Sequence, residues 1–226
     1  MLMAVFCLGA SLIGINAQEK DWANLQRYAQ QNAELPKPDK NEKRVVFMGN
    51  SITEGWVNTH PDFFKSNGYI GRGIGGQTSY QFLVRFREDV INLSPALVVI
   101  NAATNDIAEN TGAYHEDRTF GNIVSMVELA KANHIKVILT TTLPAAAFGW
   151  NPSIKDAPQK IASLNARLKA YAQTNKIPFV DYYSSMVSGS NKALNPAYPK
   201  DGVHPTSEGY DVMENLIQQA INKTLR

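Results

Sequence analysis

The sequence is poor in cysteine: Cys7 is the single one among 226 residues. It lies in a segment that we expect to be removed as an export signal, and its removal would leave a mature protein without thiols. A chain without thiols forms no disulfide, has no cysteine nucleophile and binds no metal through thiolates. Removal of the segment therefore excludes these three kinds of chemistry.

An excess of charge of one sign is also lacking. The chain carries 22 Lys and Arg residues against 20 Asp and Glu residues, a formal net charge of +2. Proteins that bind nucleic acids or anionic membranes concentrate basic residues, and this sequence shows no such concentration. We therefore expect no nucleic-acid partner. The length and the hydrophobic content of 44% fit one globular domain with a substantial core.

The first seventeen residues contain no charged side chain. This run is shorter than the roughly 20 apolar residues that span a membrane, and Ala17 before Gln18 is a possible cleavage point for a secretory signal. No Lys or Arg precedes the run, so the alternatives are a signal whose start is truncated and a buried helix. Cys7 lies too early in the run for lipid attachment. The sequence predicts a signal peptide, a periplasmic or secreted protein, and no stable membrane insertion after cleavage.

A helical pattern follows the predicted signal. Trp22, Leu25, Tyr28 and Ala29 are spaced as on one helix face, which predicts a helix within Asp21–Leu35 before the breaker stretch PKPDKNEK. The chain is accordingly expected to have three parts: a signal peptide (1–17), an N-terminal helix and linker (18–43), and one main domain (44–226).

In the rest of the chain, short apolar runs rich in Val and Ile alternate with longer amphipathic stretches. The predicted strands are Arg44–Met48, Gly68–Ile74, Leu97–Asn101, Ile135–Thr142 and Pro178–Asp181. The predicted helices are Gln77–Leu93, Phe120–Asn133, Pro158–Thr174 and Ser207–Leu225. Continuous apolar runs are typical of parallel strands buried on both faces. The alternation predicts an α/β fold, a three-layer α/β/α sandwich around a parallel sheet of about five strands.

Polar residues follow the strands where the strands end. In an open parallel sheet, ligands bind outside the carboxyl ends of the strands, so these residues are expected to meet at one rim. In chain order the groups are Gly49-Asn50-Ser51, Gly75-Gly76-Gln77-Thr78, Asn105-Asp106 and, before the last helix, Asp201-Gly202-Val203-His204.

This set of side chains suits acyl transfer from an ester. A serine hydroxyl needs an adjacent base, and the base needs a group that orients it. His204 can take the proton of Ser51, and Asp201 can hold the imidazole. The Asn105 amide and the backbone N–H groups of Gly76 and Ser51 can stabilise an oxyanion. The alternatives are a helix-capping serine and a structural loop histidine.

The segments GNSITEGW, GIGGQTS, ATND and DGVHP resemble, in order and spacing, the four sequence blocks of the GDSL or SGNH esterase family. The resemblance runs from about residue 44 to residue 212. It implies the flavodoxin-like SGNH hydrolase fold and a serine hydrolase acting on carboxylic esters through an acyl-enzyme. It implies no cofactor and no metal.

By that resemblance Ser51 looks like the nucleophile, Gly76 and Asn105 like oxyanion-hole residues, and Asp201 and His204 like the rest of the triad. The sequence departs from the family pattern at two positions. Asn50 replaces the usual aspartate, which should change only hydrogen bonding in the turn. Ala103 replaces the usual glycine, and its methyl group could crowd the approach to Asn105.

Two further carboxylates are expected to be structural: Asp106 as a brace of the loop and Asp181 as a cap. His60, His115 and His134 show no metal-ligand spacing.

The substrate is less well defined, because the resemblance covers lipases, lysophospholipases, thioesterases and carbohydrate deacetylases. No long apolar lid is evident, which favours short acyl groups, such as acetyl esters on carbohydrate. Trp56, Phe148 and Trp150 are expected in loops at the rim, where they would stack on sugars or simply pack. The expected partner is a small-molecule or glycan ester; oligomeric state is not predicted. The alternatives are a lipolytic lysophospholipase or thioesterase and a non-catalytic glycan-binding protein.

Overall fold

A computed structural model describes residues 21–226, so the predicted signal peptide lies outside the described residues. Its central feature is a parallel sheet of five strands in the order β2-β1-β3-β4-β5. The strands are β1 (Val45–Gly49), β2 (Tyr69–Gly73), β3 (Leu97–Ile100), β4 (Lys136–Thr140) and β5 (Phe179–Val180). The predicted fold class and number of strands are confirmed.

Helices cover both faces of the sheet. They are α1 (Ala29–Glu34), α2 (Ser51–Thr59), α3 (Pro61–Asn67), α4 (Ser79–Asp89), α5 (Thr104–Ile107), α6 (Glu116–Ala132), α7 (Ala157–Thr174), α8 (Tyr182–Met186) and α9 (Ser207–Thr224). Alternate strand residues enter two cores: Val46 and Val98 pack with α4, α6 and α7, and Val45 and Val99 pack with α2, α3, α8 and α9. Both faces are buried, which explains the continuous apolar runs. Within residues 21–226, no helix has the length and apolar character to cross a membrane.

The long predicted helices α6, α7 and α9 are present with small shifts of their ends. The predicted helix Gln77–Leu93 is divided into α4 and a 3-10 turn at Ile91–Leu93. The predicted strand Gly68–Ile74 begins one residue late because Gly68, at φ +65°, ends α3. A left-handed residue of this kind ends a helix and favours glycine.

The N-terminal helix is shorter than predicted. The segment Asp21–Leu35 forms a 3-10 turn at Leu25–Arg27 and then α1, separated by Tyr28 at φ −117°. The Tyr28 hydroxyl donates a hydrogen bond to the Gly73 carbonyl, so this ring is fastened to the edge strand β2. The break in the predicted helix therefore lies at Tyr28, the residue that contacts β2.

Several short elements were not predicted. They are α2, α3, α5, α8 and an antiparallel pair of two-residue strands, β6 (Val187–Ser188) and β7 (Ala193–Leu194). Each is too short to show several turns of helical periodicity or a run of alternating residues. Two of them, α2 and α5, begin directly after a strand of the sheet and carry residues of the candidate site.

Candidate active site

Ser51 is the first residue of α2, directly after β1. Asn50 is the N-cap of this helix, and its side-chain oxygen accepts a hydrogen bond of 3.0 Å from the Ile52 N–H. The capping role considered for Ser51 thus belongs to its neighbour. The Ser51 Oγ lies instead 2.8 Å from Nε2 of His204.

Two glycines allow α2 to begin so close to the sheet. The register pairs Gly49 with Gly73, so β1 and β2 end side by side. A Cβ on Gly73 would lie 2.2 Å from the Glu54 backbone nitrogen, and one on Gly49 would lie 1.9 Å from the Thr53 Oγ1. Because no side chain fits at either position, the first turn of α2 can rest on the strand ends and fix Ser51 at the rim.

His204 is held by its own loop. Its Nδ1 lies 2.7 Å from Oδ2 of Asp201, and Oδ1 of Asp201 accepts hydrogen bonds from the N–H groups of Val203 (3.0 Å) and His204 (2.9 Å). Partial burial raises the pKa of Asp201, but the hydrogen bonds from the His204 N–H, the imidazole and the Val203 N–H outweigh it and lower the pKa. The carboxylate is therefore ionised at neutral pH.

Ser51, His204 and Asp201 thus form a continuous chain of two hydrogen bonds. The serine and the histidine are 153 positions apart in the chain and meet at the carboxyl end of the sheet. In this arrangement the hydroxyl proton can pass to the imidazole while the carboxylate stabilises the imidazolium.

The loop after β2 lies beside Ser51. A Cβ on Gly75 would be 3.8 Å from the Ser51 Cβ, and the Gly75 N–H donates a 2.8 Å hydrogen bond to the Glu54 carboxylate on α2. Gly76 follows at φ +75°, a left-handed conformation that favours glycine. Neither the Ser51 N–H nor the Gly76 N–H has an acceptor within residues 21–226. Both N–H groups are available to a ligand.

Asn105 lies on α5, directly behind this loop. Its Nδ2 donates a 2.9 Å hydrogen bond to the Gln77 carbonyl, and the side chain is buried. An amide nitrogen has two hydrogens, so this bond leaves one free to donate. The candidate donors Gly76 and Asn105 are therefore tied to each other through the Gly75–Gln77 loop.

Ala103 precedes α5 at φ +83°. This backbone conformation explains the glycine expected there, because a Cβ in the left-handed region costs about 1–2 kcal/mol. The Ala103 methyl group belongs to the buried apolar core on the α4 side of the sheet. The Ala103 methyl group is thus accommodated in the core, and the crowding of Asn105 stays a prediction.

Asp106 braces the loop, in agreement with the structural role expected for it. Its carboxylate accepts hydrogen bonds from the Ser79 N–H at 2.9 Å, from the Ser79 hydroxyl, and from the Thr119 hydroxyl at 3.2 Å. Burial raises the pKa of Asp106, and the hydrogen bonds from Ser79 and Thr119 oppose that shift. The side chain connects α4 and α6 next to Asn105.

Two replacements of Asp106 distinguish the effect of its hydrogen bonds from the effect of its negative charge. We expect Asp106→Ala to lower the free energy of unfolding by about 1–3 kcal/mol, because the buried Ser79 N–H loses its acceptor. Asp106→Asn should cost less, since its amide oxygen can accept from that N–H while its NH₂ donates to the hydroxyl groups. Urea denaturation of both variants measures the difference. Equal losses would contradict the hydrogen-bond account.

Asp181 is a cap, as predicted. It is the N-cap of α8, and its Oδ1 accepts a 2.9 Å hydrogen bond from the Ser184 N–H.

His60 lies in a contact that its sequence spacing did not indicate. Its Nδ1 is 2.7 Å from a Glu214 oxygen and its Nε2 is 2.7 Å from the Ser207 hydroxyl, while Asp211 also lies nearby. Ligand atoms of His60, Asp211 and Glu214 fall within 4.8 Å of one another. Both ring nitrogens of His60 are engaged in protein hydrogen bonds. His60, at the start of α3, therefore connects α3 to α9.

Two of the three aromatic residues predicted at the rim are core residues, so that prediction is wrong for Trp56 and Phe148. Trp56 is 2% exposed because α2 turns it inward, where it stacks on Tyr210 at 5.7 Å. Phe148 is fully buried. Trp150 is 46% exposed, and its ring centroid lies 6.1 Å from that of His204. Of these three residues, only Trp150 is exposed near His204.

Arg85 contacts the segments that carry the site residues. This role was not identified from the sequence. It is fully buried and donates hydrogen bonds to the Gly49 carbonyl (2.9 Å) and the Gln77 side-chain oxygen (2.6 Å). An ion pair of 2.8 Å joins it to Asp89. Burial lowers the pKa of Arg85, and Asp89 opposes that shift. In the sequence, an arginine in an amphipathic stretch indicates only a solvent-exposed position.

A polar groove adjoins the site. It has a volume of about 600 Å³ and is lined in part by the Gly75–Gln77 loop. Trp150 and Trp22 both line it. Trp22 belongs to the N-terminal segment, and its role as a groove residue was also missed, because the helical spacing suggested a packed helix face.

Comparison with known proteins places these observations in a family. The sequence profile of the GDSL-like Lipase/Acylhydrolase family matches residues 47–212. A crystal structure described as a GDSL-like lipase from Bacteroides thetaiotaomicron is 78% identical, with a TM-score of 0.88, and the alignment covers 89% of this chain and 98% of that chain.

Two curated proteins are more distant. The uncharacterized lipoprotein YqeF of Bacillus subtilis is 32% identical over 117 residues, which are 44% of this chain and 48% of that protein. An acetylxylan esterase of Xylanibacter ruminicola is 21% identical over 224 residues, covering 83% of this chain and 45% of that enzyme. The chain thus spans about half the length of the curated relatives it matches.

Proposed function

Because the chain belongs to the GDSL-like lipase/acylhydrolase family, whose members hydrolyse esters, we propose that it is a serine esterase with Ser51 as nucleophile. The observation that carries the proposal is the 2.8 Å contact between the Ser51 Oγ and the His204 Nε2, continued to Asp201. A serine hydroxyl is a weak nucleophile unless a base accepts its proton, and this contact supplies one.

In the proposed reaction, the Ser51 Oγ bonds to the ester carbonyl carbon while its proton passes to the His204 Nε2. The tetrahedral intermediate collapses, the alcohol leaves with the proton from His204, and an acyl-enzyme remains. Water then attacks the acyl carbon with His204 again as base, and the carboxylic acid leaves as Ser51 regains its proton. Asp201 stays ionised throughout and holds the imidazole.

The negative charge on the carbonyl oxygen needs donors beside Ser51. The two free backbone N–H groups, of Ser51 and Gly76, and the Asn105 amide are proposed for this role. They are fixed before any substrate arrives, because Glu54 holds the loop at Gly75 and Asn105 holds it at Gln77. Donors fixed in this way stabilise developing charge without reorganisation, each contributing about 10²- to 10³-fold in rate.

We propose short acyl esters on carbohydrate, acetyl esters above all, as the substrate class. The groove beside Ser51 is lined largely by polar residues, which suits a sugar better than a long acyl chain. The acetylxylan esterase of Xylanibacter ruminicola acts on an ester of this class, as its name states. A lipolytic acylhydrolase is the second candidate, because the relative at 78% identity is described as a GDSL-like lipase.

A panel of esters distinguishes these candidates. We expect kcat/KM to be highest for 4-nitrophenyl acetate and to fall at least about tenfold by the decanoate ester, because the polar groove offers a long chain little apolar surface. Fluorophosphonate labelling followed by peptide mass spectrometry should place the adduct on Ser51.

Three outcomes of these measurements would change the proposal. A preference for the decanoate ester would favour the lipolytic candidate. An adduct on another serine would move the nucleophile. Neither turnover nor an adduct would favour the non-catalytic glycan-binding alternative. His204→Ala, which keeps Ser51 but removes the base, is the control for labelling that depends on activation.

A further inference from the structure

Two exposed tryptophans face the same groove. Within residues 21–226, the exposed large hydrophobic side chains are Trp22 (49%), Trp150 (46%) and Val84 (53%). Trp22 and Trp150 line the groove beside Ser51, and Val84 does not. Leaving an indole ring half exposed in a polar groove keeps a large apolar face available to a ligand.

The groove adjoins the proposed active site through the loop after β2. Its lining includes Gly75, the residue next to Ser51, and Gly76, the proposed oxyanion donor. Its volume of about 600 Å³ falls within the range of roughly 300–1,000 Å³ that is usual for small-molecule sites. A small acyl group on Ser51 would leave most of this space to the alcohol part of the ester.

The backbone around Trp22 is held by three side chains. Gln81 donates a 2.8 Å hydrogen bond to the Trp22 carbonyl, and Gln77 donates a 2.7 Å hydrogen bond to the Ala23 carbonyl. Asp21 accepts from the Leu25 N–H at 2.8 Å. Because the backbone that carries the Trp22 ring is already fixed, it loses little conformational entropy when a ligand binds.

The Trp150 ring is held by Asn110. Its Nε1 donates a 2.9 Å hydrogen bond to the Asn110 side-chain oxygen, and the Asn110 amide donates a 3.0 Å hydrogen bond to the Gly76 carbonyl. The ring is thereby tied to the loop that carries the proposed oxyanion donor. Of the two rings, Trp150 lies next to His204, whereas Trp22 belongs to the N-terminal segment.

The chemistry of the groove selects among ligands. Asp21 and Glu109 are acidic residues in the lining of the groove, which disfavours anionic polymers. The two indole faces suit the C–H face of a sugar ring. A neutral sugar has both an apolar face and a rim of hydroxyl groups, whereas an acyl chain has only apolar surface.

We infer that Trp22 is a second sugar-binding position, remote from Ser51, and that the preferred substrate is an acylated neutral oligosaccharide of several units. This inference rests on the proposed esterase function and adds the size of the alcohol part of the ester. It assigns a specificity role to the N-terminal segment, which otherwise contributes no group to the reaction.

The test compares a long and a short substrate in the same variants. For acetylated xylotetraose, Trp22→Ala should raise KM about tenfold with little change in kcat, because the lost stacking contact is remote from the reacting bond. For 4-nitrophenyl acetate, kcat/KM should stay within about twofold of the parent. Trp22→Phe, which keeps an aromatic face, should recover part of the KM. Val84→Ala is the control for loss of an exposed apolar side chain.

Binding without turnover separates this inference from the esterase proposal. Calorimetry with Ser51→Ala protein and unacetylated xylotetraose should detect binding that weakens about tenfold when Trp22→Ala is added. The same KM for acetylated xylotetraose in the parent and Trp22→Ala would overturn the inference while leaving the esterase intact. No detectable binding of xylotetraose would also overturn it. If the parent protein itself showed no esterase activity, binding that depends on Trp22 would support the groove and refute the catalytic proposal.

Discussion

Ser51→Ala is expected to lower kcat/KM for 4-nitrophenyl acetate by about 10⁴-fold or more, because no other group in the proposed mechanism can form the acyl-enzyme. His204 and Asp201 would keep their hydrogen bond of 2.7 Å, but the imidazole would have no hydroxyl to activate. The remaining rate should be that of the oxyanion donors and substrate binding alone. Steady-state kinetics on purified protein measure the loss.

The folded state should be almost unaffected by this change. Ser51 does not cap α2, because Asn50 does, and its Oγ makes a hydrogen bond to His204 alone among residues 21–226. We expect the free energy of unfolding to stay within about 0.5 kcal/mol of the parent. Ser184→Ala is the control, since it also removes a hydroxyl that bonds to one side chain. Retention of more than a tenth of the activity by Ser51→Ala would exclude Ser51 as the nucleophile.

The position of Ser51 could be anticipated because backbone topology decides it. A parallel sheet places the carboxyl ends of all its strands at one edge, so any residue directly after a strand arrives at that edge. The continuous apolar runs identify the strands because both faces of the sheet are buried. The place of Ser51 at the edge therefore follows from the order of the elements, whereas Asp201 and His204 lie in the loop before α9 and reach Ser51 through the fold of that loop.

The directions of the aromatic side chains could not be anticipated in the same way. Trp56 was expected in a loop, since nine residues containing Gly55 show too little periodicity to reveal α2. Once α2 exists, Trp56 lies four residues after the buried Ile52 and shares its inward face. Phe148 lies in a loop as expected, but its burial depends on packing between distant segments.

The burial of Arg85 could not be predicted from the sequence for a related reason. A charged residue in an amphipathic helix is normally solvated, and nothing local distinguishes one that is buried. Its partners Gly49 and Gln77 lie 36 and 8 positions away, and only the folded chain brings all of them together. Buried polar contacts of this kind depend on tertiary distances that spacing does not encode.

Arg85→Ala is expected to lower the free energy of unfolding by about 3–5 kcal/mol, which is a large part of the 5–15 kcal/mol that stabilises an ordinary protein. The substitution would leave the buried Asp89 carboxylate without its ion pair and the Gly49 carbonyl and Gln77 oxygen without their donor. Each of these losses leaves an uncompensated polar group in the core. Chemical denaturation followed by circular dichroism measures the change.

Two further variants separate charge from geometry. Arg85→Lys keeps the positive charge, but one ammonium group cannot reach the three acceptors that the planar guanidinium reaches, so most of the loss should persist. The double variant Arg85→Met with Asp89→Leu removes both charges, and it should be more stable than Arg85→Ala because no buried carboxylate is left unpaired. A loss below about 1 kcal/mol for Arg85→Ala would contradict the account.

Activity of the folded Arg85 variants would show whether the same contacts position the site. Gly49 lies two residues before Ser51, and Gln77 directly follows Gly76, so Arg85 joins the segment that carries the proposed nucleophile to the loop that carries a proposed oxyanion donor. We therefore expect kcat per folded molecule to fall in Arg85→Lys while KM for 4-nitrophenyl acetate changes little, because a misplaced donor acts on the transition state. A merely stabilising residue would leave kcat per folded molecule unchanged.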